Sequence, residues 1–232
     1  MEVVAVVPAR GGSKGIPRKN LAVLGGHTLT ALAVRCARRA GIERVLVSTD
    51  DREIAAAGQA AGGEVPALRP AALSGDGARS VDAVLHVLGA AGAQPDAVAV
   101  LQPTSPFRRA ADLREAVALL AARPEADAVI SVTRLEEPHP EKAKRIDGGW
   151  LRPYLPGAAS ERPRQELPAA WRLNGVLYLV RRAEIAERHT LVPTAALPLV
   201  LPAERSLNID QPLDLLLAEL LLERGLASLE AG

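Results

Sequence analysis

Aromatic residues are scarce in this 232-residue chain, where one Phe, two Trp and two Tyr make up 2% of the total. Proteins that grip single-stranded nucleic acid stack its bases on aromatic rings, and that platform is missing. Charge of either sign is not in excess: 28 Lys+Arg face 27 Asp+Glu, and the net +1 sets up no long-range attraction for nucleic acid or an anionic membrane. Cysteine occurs once, at Cys36, which excludes an intramolecular disulfide and a cysteine-rich zinc site and fits a reducing compartment. No apolar run approaches the roughly 20 residues of a membrane span. The opening Met1-Glu2 before Val3 to Val7 has neither the basic segment nor the length of a secretory signal. The expectation is a cytoplasmic protein with no nucleic-acid and no membrane partner. The 48% hydrophobic and 24% charged residues are those of a folded protein, and residues 1–232 suffice for a single α/β domain with one elaboration.

Strand and helix patterns alternate. Val3 to Val7 is a short β-branched run ending at Pro8, as in a strand buried on both faces. A polar, glycine-rich loop follows, and Thr28 is placed to cap a helix with Leu29, Leu32, Ala33, Cys36, Ala37 and Ala40 at helical spacing before Gly41. Strands are predicted at Val45 to Val47, Val65 to Leu68, Val98 to Leu101, Ala128 to Val132, Val176 to Val180 and near Leu199. Helices are predicted at Arg52 to Ala61, around Val81 to Leu88, around Leu113 to Leu120, at Arg182 to Arg188 and at Pro212 to Arg224. Such alternation predicts a three-layer α/β fold, a mainly parallel sheet with helices on both faces. Prolines at 138, 140, 153, 156, 163 and 168 interrupt it, and mark an inserted arm at about 135–172.

Open parallel sheets bind ligands beyond the carboxyl ends of their strands, so the polar segments there are where chemistry is sought. In Pro8-Ala9-Arg10-Gly11-Gly12-Ser13-Lys14-Gly15-Ile16-Pro17-Arg18-Lys19-Asn20, glycines free the backbone to wrap an anion and four cationic side chains supply countercharge. This suits a polyphosphate, although neither GxxxxGK[ST] nor GxGxxG is present; the plainer reading is a solvated loop. Asp50, in Ser48-Thr49-Asp50-Asp51, suits a metal, a ribose or simply a helix cap. Leu101-Gln102-Pro103-Thr104-Ser105-Pro106-Phe107-Arg108 offers polar groups to a substrate, or a helix entry at Ser105-Pro106. Asn208 and Asp210, two apart, face one side if extended and suit Mg²⁺, with helix capping as the alternative for Asp210. Histidines 27, 86, 139 and 189 have no metal-binding spacing.

Together, the Ala9 to Asn20 loop, Ser48-Thr49-Asp50, Arg69-Pro70, the Ala78 to His86 region, Leu101 to Pro106, Pro163-Arg164-Gln165 and Asn174-Gly175-Val176-Leu177-Tyr178 resemble the acylneuraminate cytidylyltransferases, or CMP-sialic acid synthetases, over nearly the whole chain and in the same order. The resemblance implies a fold of the nucleotide-diphospho-sugar transferase type and a homodimer whose inserted arm packs on its partner. It implies that Arg10, Ser13, Lys14, Lys19, Asn20, Arg69 and Ser80 bind CTP, and that Gln102, Lys142, Arg164 and Tyr178 address a nonulosonic acid, some of them across the subunit boundary. Arg10, Lys19 and Asp210 are then the candidate catalytic residues, with Asp210 and Asn208 at a Mg²⁺. The family's closing motif usually carries two aspartates, and an amide such as Asn208 brings no charge to the metal. The implied reaction is attack by the sugar's anomeric hydroxyl on the α-phosphate of CTP. Legionaminic, pseudaminic or 3-deoxy-octulosonic acid as substrate, GTP as donor, a non-catalytic nucleotide-binding protein and a glycosyltransferase stand as alternatives.

Overall fold

The computed structural model describes residues 1–158 and 160–230. Its centre is a six-stranded sheet in the order β10-β6-β9-β5-β1-β4. The strands are β1 (Val3–Pro8), β4 (Arg44–Ser48), β5 (Ala97–Val100), β6 (Ala128–Arg134), β9 (Trp171–Arg181) and β10 (Ala196–Val200). β1 runs parallel to β4 and β5, and β10 runs parallel to β6. β9 alone is antiparallel, lying between β5 and β6. Small ribbons are formed by β2 (Val23–Leu24) with β3 (His27–Thr28), and by β7 (Lys144–Asp147) with β8 (Trp150–Pro153).

Side chains alternate across a strand, and β1 is apolar on both faces because both are covered. Ala5 and Val7 meet α1 (Leu29–Arg39), α2 (Arg52–Ala60) and α4 (Ala110–Ala122) through Ala33, Val34, Cys36, Ile54, Leu113 and Leu120. Val4 and Val6 meet α3 (Ser80–Ala90) and α5 (Arg182–Ala186) through Val81, Val84, Val87 and Ile185. This is the predicted three-layer α/β fold. A third cluster, around Leu24, Leu29, Phe107 and Ile209, seats α6 (Pro212–Glu223) against the first ribbon. Thr28 caps α1 as expected, accepting the Ala31 N–H at 3.2 Å.

Three expectations are corrected. Val65 to Leu68 forms no strand: Pro66 has no N–H to donate, and only Glu64 pairs with the sheet, as a single bridge to Leu46. Ser105-Pro106 does not open a helix; α4 begins at Ala110, where Asp112 accepts the Arg109 N–H at 3.0 Å. The helix after β9 stops at Ala186 rather than Arg188. The arm contains the β7–β8 ribbon, whose residues are all exposed. Among the described residues no helix is long and apolar enough to cross a membrane.

Candidate active site

The loops leaving β1 and β5 and the segment between α2 and α3 converge with the segment before α6 around a cavity of about 470 Å³. From the first loop, Arg10, Ser13, Lys14, Lys19 and Asn20 line it; Arg69 and Ser80 come from before and at the start of α3. Gln102 enters from the end of β5, and Asp210 from the segment before α6.

Ser13 and Asn20 give the first loop its shape. The Ser13 hydroxyl donates to the Ile16 carbonyl and accepts the Lys19 N–H at 3.1 Å. Asn20, which is buried, donates from Nδ2 to the Arg10 carbonyl at 2.8 Å, while its own carbonyl accepts Thr30 Oγ1 at 2.8 Å. Gly15 is where the loop touches the far wall: a Cβ there would lie 2.0 Å from the Asp210 carbonyl oxygen, a contact no side chain survives. The loop and Asp210 are therefore held together by backbone packing as well as charge.

The cations of the loop are all paired. Lys19 Nζ lies 2.7 Å from Asp210 Oδ1, and Arg10 and Lys14 both reach Asp76, at 3.1 and 2.7 Å. Arg18 turns out of the cavity to Asp51 and Glu53. Asp51 is the cap of α2, accepting the Glu53 and Ile54 N–H groups at 2.8 and 3.1 Å, whereas Asp50 accepts the Gly11 N–H at 2.8 Å. Asp50 thus braces the loop. Capping of α6 falls to Asp214, which accepts the Asp210 and Gln211 N–H groups at 2.9 and 2.7 Å and leaves the Asp210 carboxylate facing the cavity. Arg69 is buried, which pushes its guanidinium pKa down, and donates to the Ser48 hydroxyl at 3.1 Å and to the Ser48 carbonyl. An arginine remains charged even so, and it brings a fixed positive charge beneath the cavity.

Asn208 does not share the cavity with Asp210. Ser105 Oγ donates to Asn208 Oδ1 at 2.5 Å, and the Asn208 amide lies near Gln102 against the backbone of Gly175. Gly175 has φ +71°, and a Cβ on it would meet Gln102 Oε1 at 2.8 Å and the Asn208 amide nitrogen at 3.2 Å. The turn that carries it is a bulge in β9, where the register against β6 shifts between Ile130 and Val132. Buried Asn174 pins this bulge: Ser131 Oγ donates to its Oδ1 at 2.5 Å, and its Nδ2 donates to Ser206 Oγ at 2.9 Å. Below, the wholly buried Arg108 donates to the carbonyls of Gln102 at 2.8 Å and Val176 at 2.5 Å.

The other residues assigned to the sugar lie apart. Tyr178 packs partly buried on the α3 face, and desolvation raises its phenol pKa, so it is a neutral group. Lys142 is exposed on the arm. Arg164 lines a separate cavity of about 230 Å³ with Arg134, Glu136 and His139, and pairs with Glu136 at 2.7 Å. Cys36 is buried on the inner face of α1 and desolvation pushes its thiol up to about 12, so it supplies no nucleophile at neutral pH. Asp76, which the sequence reading passed over, sits inside the cationic loop; an exposed aspartate between two glycines carries no pattern that marks it.

Residues 4–146 match the cytidylyltransferase family model. The chain is 32% identical to a CMP-N,N'-diacetyllegionaminic acid synthase of Legionella pneumophila over 96% of its own length and 97% of the relative's. It is 29% identical to an N-acylneuraminate cytidylyltransferase of Escherichia coli over 94% of its length, spanning about half (51%) of that longer protein. A solved structure of a CMP:2-keto-3-deoxy-manno-octonic acid synthetase complexed with CTP superposes with a TM-score of 0.72, covering 97% of this chain and 100% of that one at 19% identity. A model match over more than half the residues, together with a full-length relative, places this chain in the cytidylyltransferase family.

Proposed function

We propose that the chain transfers CMP from CTP to a sialic-acid-like nonulosonic acid and releases pyrophosphate. The observation that carries this reading is the cationic loop after β1, whose Arg10, Lys14 and Lys19 line the cavity, with Asp210 paired to Lys19 beside them. In such a transfer the sugar's anomeric oxygen forms a bond to the α-phosphorus as the bond to the β-phosphate oxygen breaks. The enzyme's contribution is positioning and charge stabilisation rather than covalent chemistry. Arg10 and Lys19 hold the charge that develops on the phosphates, each donor of this kind contributing on the order of 3 kcal/mol. Arg69 and Ser80 face the nucleoside end, Gln102 faces the acceptor, and Asp210 receives the proton of the attacking hydroxyl, directly or through water.

Cytidylyltransferases of this kind use a divalent metal, which we take to be Mg²⁺. The donor set fits an ion held jointly by protein and substrate. Among the described residues no three acidic, histidine or cysteine side chains form a metal cage, yet the Asp210 carboxylate is directed at the cavity. Mg²⁺ commonly rests on one or two carboxylates, several waters and the substrate's phosphates. Asp210 is then its protein ligand, while Asn208 holds the acceptor side through Ser105 and Gln102. When bound, the metal neutralises charge on the leaving pyrophosphate.

A homodimer joined through the arm at about 135–172 completes this reading, because Lys142 and Arg164 lie outside their own chain's nucleotide cavity. We place the enzyme in the cytoplasm, in keeping with its single buried thiol. The full-length relative named for legionaminic acid favours a substrate of that type within the nonulosonic class. The test is pyrophosphate release from CTP or GTP with Mg²⁺ and a panel of sialic, legionaminic, pseudaminic and 3-deoxy-octulosonic acids. Release that requires CTP and one of the acids is the expected result; CTP binding without turnover on any of them would overturn the proposal.

A further inference from the structure

The carboxylate of Asp76 lies against two of the cations that line the cavity. One of its oxygens is 3.1 Å from Arg10 Nη2, and the other is 2.7 Å from Lys14 Nζ. Arg10 Nη1 also donates to the carbonyl of Gly75, at 3.0 Å, so a single guanidinium grips both the backbone and the side chain of this turn. The turn leads from a short helical segment at Ala71–Leu73 to α3, and Gly75, Asp76, Ala78 and Arg79 all line the nucleotide cavity. Neither neighbour of Asp76 has a side chain to pin the turn down, and Asp76 itself is largely exposed. Two of the three loop cations that face the cavity are thus taken by an anion belonging to the chain itself.

We propose that Asp76 acts as an internal competitor for the phosphate chain, weakening the grip on CTP and displacing pyrophosphate after transfer. This rests on the reading of the loop as a triphosphate cradle. A ligand that needs Arg10 and Lys14 must first break two ion pairs. Its apparent affinity is the intrinsic affinity multiplied by the fraction of molecules in which those cations are free. Exposed pairs of this kind are individually weak, so the triphosphate prevails when it arrives. Pyrophosphate, no longer tethered through the nucleoside, is the ligand against which a nearby carboxylate competes best. The hydrogen bond from Lys14, with the charges of Lys14 and Arg10, holds the Asp76 carboxyl below its ordinary range, so the competitor stays charged wherever the substrate is charged. A ligand with no phosphate, such as cytidine, does not meet Asp76 at all.

The experiment compares wild type, Asp76→Asn and the Arg10→Ala/Lys14→Ala double variant, titrated calorimetrically with CTP, pyrophosphate, tripolyphosphate and cytidine at fixed ionic strength. Asp76→Asn is expected to bind CTP, pyrophosphate and tripolyphosphate about three- to tenfold more tightly, with cytidine unchanged. Pyrophosphate is also expected to become a correspondingly stronger product inhibitor. Unchanged or weaker polyphosphate binding by Asp76→Asn would overturn the competitor role, and so would an equal shift for cytidine, which would mark a general structural change. If the double variant binds CTP as tightly as wild type, the cradle reading itself fails, and the competitor falls with it.

Discussion

At the residue scale the site turns on Lys19. Its side chain is mostly buried, and in the structure its ammonium is paired with Asp210, 2.7 Å away. Bringing a triphosphate into the cavity replaces that single partner with several phosphate oxygens, and in the transition state the ammonium faces more negative charge than before. Lys19→Ala is therefore expected to lower turnover at least about tenfold. The loop's own shape depends on Ser13, Asn20 and Gly15 instead, so circular dichroism and thermal unfolding should stay close to wild type. A Lys19→Ala enzyme with undiminished turnover would take the loop out of the mechanism. The cationic character of this loop was legible from residue types alone. The partner of each cation was not, because Asp76, Asp51 and Asp210 lie 62, 33 and 191 positions from Lys14, Arg18 and Lys19, and only the fold brings them together.

At the scale of elements, the strands and helices that bury apolar residues on a regular period were legible: β1, α1 and the strands at 44–48, 97–100 and 128–134 lie where hydrophobic spacing puts them. What spacing does not encode is a partner's register. The stretch after Gly63 has strand-like residues, but Pro66 interrupts its N–H ladder and only Glu64 pairs. The bulge in β9 was likewise hidden inside an ordinary apolar run, although its Asn174-Gly175 pair marked a special backbone. A chain of hydrogen bonds from Ser131 through Asn174 to Ser206 holds that bulge so that Gly175 backs onto Gln102. Gly175→Ala must accept a left-handed backbone and a contact of 2.8 Å at once. The backbone strain alone is of order 1–3 kcal/mol, which corresponds to a fall of about 3–10 °C in unfolding temperature for a chain of this size. Because Gln102 is displaced while the cationic loop is not touched, the KM for the acid sugar should rise and CTP affinity should hold. A variant with wild-type thermal stability and wild-type KM for the acid would show that the bulge has no part in seating the acceptor.

At the scale of the whole molecule, the cavity lined by the β1 loop and the arm are separate constructions. The residues that line the cavity come from the loops after β1 and β5, the segment entering α3 with the first turns of that helix, and the segment before α6, and among the described residues the arm contributes none. The arm instead displays apolar surface on a ribbon too thin to bury it: Ile146 is 81% exposed, Trp150 69% and Leu151 68%. Ile146 and Leu151 face each other across the ribbon and Trp150 lies on its other face; in the proposed dimer these side chains meet the same ribbon of a second copy, as a twofold pair requires. If the paired arms bring Lys142 and Arg164 to the partner's acceptor, breaking the pair must separate two functions that a simple stability defect would not. The Trp150→Ser/Leu151→Ser variant is expected to sediment as a monomer, to bind CTP within about twofold of wild type because rim substitutions away from a cavity are nearly neutral, and to lose transfer to the acid sugar. A monomer that transfers CMP at the full rate would show that each chain carries a complete acceptor site, and the arm would then serve assembly alone.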